Sequence, residues 1–186
     1  MKRLFDCAAI LALTSGTALA ADPSPIGDWR VKDGYANIRI DNCGGKLWGI
    51  VAWEKAAGKD VENPDPAKKA RPTLGMPILL AMAPTKPNRW EGEIYNSNNG
   101  KVYTSNISMV DENTLKLEGC VLGFLCGGEN WNRVTTPPVG GVSLPSPPQM
   151  SKQANLKKGT PAMSDVCTRV ASESASTSNN TAARKR

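Results

Sequence analysis

The chain has 186 residues, a formal net charge of +6 and no histidine. The missing histidine removes the Ser-His-Asp and Cys-His relays and the commonest zinc ligand, while carboxylate or lysine bases remain available. The positive excess is unevenly placed. Residues 21–134 carry 14 basic and 14 acidic side chains, so the domain is neutral and the excess lies in the tail, which makes nucleic acid an unexpected partner.

Residues 1–20 have the pattern of an export signal. Lys2 and Arg3 precede a mostly apolar run from Leu4 to Leu13, and Ala18-Leu19-Ala20 supplies small residues at a cleavage site. That apolar run is shorter than the ~20 residues a membrane span needs. The expected location is the periplasm or the outside of the cell, with no transmembrane segment after cleavage.

From Gly27 onward the chain reads as short strands between turns. "GDWRVK" is the first. "YANIRID" alternates, with Ala36, Ile38 and Ile40 on one side and Asn37, Arg39 and Asp41 on the other, as a half-buried strand does. "NCGG" turns the chain into "KLWGIVAW", which is apolar on both faces and therefore needs cover on both. The long polar segment Asp60–Gly75 comes next, then "MPILLAM", "RWEGEIY", "KVYTSNISMV", "TLKLEGCV" and "GGENWNRV". About eight strands, joined mostly by hairpins, predict an all-β fold, a small antiparallel up-and-down barrel, with a sandwich as the alternative.

The segment "DVENPDPAKKARPTLG" does not fit a calcium loop. Counting from Asp60, the sixth and twelfth positions hold Asp65 and Arg71 where Gly and Glu are needed. It fits an ordered corner. Asn63-Pro64 and Asp65-Pro66 favour turns, Asp60 and Arg71 can clamp the ends, and Gly75 allows tight entry to the next strand. Lys68, Lys69 and Arg71 are the candidate rim for an anionic ligand head group. No catalytic residue, metal or cofactor is expected.

Residues 135–186 contain no aromatic side chain and are rich in Pro and Ser. Such a segment buries little, so a disordered, dispensable tail is expected, with Arg184, Lys185 and Arg186 as a basic tip able to contact an anionic envelope surface. Four cysteines lie beyond the signal, and in an exported chain they favour disulfides. Cys120 and Cys126 are close in sequence with Gly123 between them, which favours that pair. Cys43 and Cys167 are then partners by default, or free.

The motifs "GDWR", "DNCGGKLWGIV", "DVENPDPAKKARPTLGMPIL", "RWEGEIYNSNNGKVY", "LKLEGCVLGFLC" and "WNRV" occur in an order that resembles a bacterial exported family, domain of unknown function 2147. The resemblance covers residues 25–134 and implies a lipocalin-like (calycin) barrel. Family members often carry a cysteine where this chain has Trp48, so the local partner of Cys43 is missing here. Gly27-Asp28-Trp29 is similar to the Gly-x-Trp signature of lipocalins. That likeness implies that Trp29 closes one barrel end, with Arg133 from the last strand stacked across it, in structural roles. The function implied is non-enzymatic binding of a small hydrophobic or anionic lipid-like ligand. The alternative is an envelope-associated interaction protein that uses its basic tail.

Overall fold

The computed structural model describes residues 23–121, 125–136, 138–145 and 164–183. The expected export signal and the tip Arg184–Arg186 lie outside the described residues. Eight strands form the barrel: β1 (Gly27–Arg30), β2 (Ala36–Cys43), β3 (Lys46–Glu54), β4 (Pro77–Lys86), β5 (Arg89–Asn96), β6 (Lys101–Asp111), β7 (Thr114–Val121) and β8 (Leu125–Arg133). Each pairs antiparallel with the next, and β1 pairs with β8 to close the cylinder. The up-and-down barrel read from the strand pattern is therefore the observed fold, and the sandwich is not.

Alternation along the strands fills the barrel. Trp29, Ile38, Ile40, Leu47, Leu79, Met82, Ile107, Leu115 and Trp131 are buried in one cluster. Burial of each such side chain contributes about 2 kcal/mol. One irregularity matters for function. The β2–β3 register passes from Ile38↔Val51 to Asn37↔Trp53, so β3 carries an extra residue at this point. Beyond it the parity of β3 is reversed: Glu54, paired with Ala36, faces inward, and Trp53 faces outward under the Arg30 guanidinium, 4.5 Å from the ring centroid.

The tail departs from expectation over part of its length. Helix α1 (Asp165–Ala183) lies against the barrel, and a short strand, β9 (Val142–Ser143), pairs with Trp53 and Glu54 at the edge of β3. Val166 and Val170, one helical turn apart, bury with Leu144 against Ile50 on the outer face of β3. Cys43 and Cys167 form a disulfide across 124 residues of chain, and Asp165 pairs with Arg39 at 2.6 Å. The reading of residues 135–186 as structureless is thus corrected for Leu144 and the start of α1. Composition registered the missing aromatics but not two valines at helical spacing beside a cysteine. Residues 137 and 146–163 lie outside the described residues.

The barrel cavity and its rim

One barrel end is shut. Trp29 is fully buried and donates its indole N–H to the Pro25 carbonyl at 2.8 Å. The Arg133 guanidinium lies over the Trp29 ring, 4.2 Å from the centroid, and donates to the carbonyls of Glu112, Ile26 and Ser24. Gly27 is required by this closure. Its φ is +131°, and a Cβ there would stand 2.9 Å from an Arg133 nitrogen.

The other end is open. A cavity of about 640 Å³ runs inward from the β1–β2 turn, the segment after β3 and the β5–β6 turn. Its floor is Ile38, Val51, Ile94, Leu117 and Trp131, and its rim includes Tyr35, Glu54, Thr73, Asn96, Asn98 and Tyr103. The space exists because β7 and β8 present glycine here. Gly119 and Gly127 are register partners, both line the cavity, and a Cβ on Gly127 would meet nothing within 4 Å.

The charged groups of this cavity are acidic. Asp33, Glu54 and Glu129 line it, with no Lys or Arg among the described lining residues. Glu54, 7% exposed, accepts from the Thr73 hydroxyl at 2.5 Å and the Gly58 N–H at 3.1 Å. Glu129 shares the inward column of Trp131 and accepts its indole N–H at 2.5 Å. The Ser105 hydroxyl, on the inward column of β6 between Tyr103 and Ile107, is buried without a hydrogen-bond partner.

The Asp60–Gly75 segment is built around one carboxylate. Asp60 is fully buried. It accepts from the Tyr95 hydroxyl at 2.6 Å, Asn63 Nδ2 at 2.6 Å and Arg71 Nε at 2.9 Å. The Asp60 N–H also donates to the Arg71 carbonyl, and a one-turn 3-10 helix, Pro66–Lys68, sits between the two. Asn63 Oδ1 accepts from the Asp65 N–H, the Asx turn that Asn63-Pro64 favours. Gly75, at φ +84°, enters the next strand by donating to the Val51 carbonyl at 2.7 Å. Burial, and then the hydrogen bond to Asp60, push the Tyr95 phenol up to about 12.

The candidate anion rim is differently employed. Lys68 Nζ lies 3.0 Å from Glu173 of α1, and Arg71 reaches both Glu173 and Asp60. Burial opposes the charge on Glu173, but these two cations hold its carboxyl below the usual range. Lys69 is exposed, and none of the three lines the cavity. On β7 and β8, Cys120 and Cys126 are register partners joined by a disulfide. Among the described residues no cluster of three or more His, Cys, Asp or Glu is placed to hold a metal ion, and no helix is long and apolar enough to cross a membrane.

Of these features, the acidic lining is the part that sequence reasoning missed. Glu129 was reachable, because it lies two residues before Trp131 on one strand face. Glu54 was not, because the bulge in β3 reverses its parity.

A closed eight-stranded antiparallel cylinder, with an indole and a guanidinium sealing one end and a cavity at the other, defines a lipocalin-like barrel protein. The chain belongs to the family described as uncharacterized protein conserved in bacteria (DUF2147), whose model matches residues 27–133. It is similar in fold to protein HP1028 from the human pathogen Helicobacter pylori, a structure described as belonging to the lipocalin family. The identity is 18%, with 60% of this chain and 84% of that one covered and a TM-score of 0.56. No curated protein matches the chain. The two disulfides are compatible with an exported protein.

Proposed function

We propose that this protein is a non-enzymatic binder of a small, mainly apolar molecule held inside the barrel. The observation that carries the reading is the cavity itself. Its volume of about 640 Å³ lies within the range of small-molecule sites, and its floor is Ile, Val, Leu and Trp side chains. Among the described residues, the end sealed by Trp29 and Arg133 leaves the opposite end as the mouth for entry. The lipocalin likeness supports the fold and leaves the ligand open.

The test is titration with a neutral fluorophore, N-phenylnaphthylamine, in wild type and in Gly119→Leu. A Cβ on Gly119 meets only Ile94 Cγ2, at 3.9 Å, so the larger side chain enters empty space without disturbing the wall. Saturable binding by wild type, lost in Gly119→Leu at unchanged melting temperature, supports the reading. Absence of binding by wild type, or equal binding by both, overturns it.

A further inference from the structure

We propose that the ligand carries a positively charged head, so that the cavity selects organic cations of amine or quaternary ammonium type over carboxylates. This rests on the cavity-binder reading and adds the head-group chemistry. Three carboxylates, Asp33, Glu54 and Glu129, face the space, and among the described residues no Lys or Arg does. Glu54 is 7% exposed and is held by a hydroxyl and an amide, both neutral donors. A charge so buried is expected to have a counter-charge, and none of the ion pairs among the described residues supplies one. Glu129 Oε1 is engaged by Trp131, and no described residue bonds to Oε2.

A further observation points the same way. Tyr35 and Tyr103 place aromatic rings on the rim, and ring faces attract cations. The Tyr35 ring already takes Lys55 Nζ at 5.3 Å from its centroid. The loop cations that would greet an anion are turned away, Lys68 and Arg71 toward Glu173 and Asp60.

The experiment compares ligands with one decyl chain and different heads: decylamine, decyltrimethylammonium, decanol and decanoate. Binding is followed by tryptophan fluorescence below the micelle threshold. The two cations should bind about tenfold more tightly than decanol, and decanoate more weakly than decanol. Glu129→Gln and Asp33→Asn should each weaken the two cations severalfold more than decanol. Glu54→Gln should do the same, provided that its melting temperature shows the Thr73 contact intact. Decanoate binding as tightly as the cations, or equal losses for decanol and the cations in the variants, would overturn the head-group assignment and leave the binder reading standing. Failure of all four ligands to bind would remove both.

Discussion

Replacing Asp60 by Asn should be among the most damaging single changes in the barrel. The carboxylate is fully buried, and its Oδ2 receives both Asn63 Nδ2 and Arg71 Nε while Oδ1 receives the Tyr95 hydroxyl. In the Asp60→Asn variant one oxygen becomes an NH₂. If it takes the Oδ2 position it faces two donors, and if it takes the Oδ1 position it displaces the tyrosine hydrogen bond. In either orientation Arg71 loses the Asp60 charge and keeps Glu173. The unsatisfied buried donors cost about 2–3 kcal/mol, which for a domain of this size lowers the melting temperature by roughly 8–20 °C. Tyr95→Phe deletes the hydrogen bond donated to Asp60 and the one accepted from Asn63 Nδ2, and should cost about 1.5–3 kcal/mol. A second readout isolates the interaction. Because the fold holds Tyr95 neutral to about pH 12 against an ordinary value near 10, its contribution to stability is complete below pH 10 and is lost as pH rises from 10 to 12. Ultraviolet titration of the phenol in Asp60→Asn should show its pKa falling, though burial keeps it above the ordinary value. A melting temperature within a few degrees of wild type, or a Tyr95 that titrates normally in wild type, would refute the assignment of Asp60 as the organiser of this corner.

Cys43→Ser with Cys167→Ser should lower stability by about 2–4 kcal/mol, since the bond closes a loop of 124 residues; a non-reducing thermal scan unchanged from wild type would show that this bond adds no stability. Arg133→Ala removes a cation–π contact and three donors to backbone carbonyls and should cost about 2–4 kcal/mol, with Arg133→Lys recovering part; chemical denaturation reads the difference, and a neutral result would mean that the barrel end is closed without Arg133. Truncation after Val134, with Cys43 changed to Ser, should expose Ile50 and lower the melting temperature by more than about 5 °C, against the mere few degrees expected of a dispensable tail.

The cylinder was legible because period-2 alternation in "YANIRID" and "TLKLEGCV" survives in the structure as inward Ile38, Ile40, Leu115 and Leu117. The corner was legible from its turn chemistry: Asp60 and Arg71 do meet, and Asn63-Pro64 does turn. "KLWGIVAW" demanded cover on both faces, and its outer cover turned out to be Val166 and Val170, from a segment whose composition argued against order. A two-valine stripe is too weak a signal to read without knowing the surface it meets. The cation rim was misplaced for a similar reason. Lys68 and Arg71 were visible, but Glu173, about a hundred residues later, was not linked to them. The acidic cavity depended on a one-residue bulge, and no local pattern announces that shift.

The way α1 is fastened sets an order of events for the nascent chain. The turn that carries Cys43 forms between adjacent strands, whereas its partner thiol is 124 residues farther along. The cylinder itself closes only when β8 reaches β1, pairing Trp29 with Arg133. Both closures join distant segments, and the entropy of bringing such ends together is spent before the contacts reward it. Until both are complete, Ile50 and Trp48 on β3 stand open to other chains. The interval between making β3 and delivering α1 is therefore when this protein is most exposed to aggregation, and an oxidant acting too early would find Cys43 with only the wrong partners.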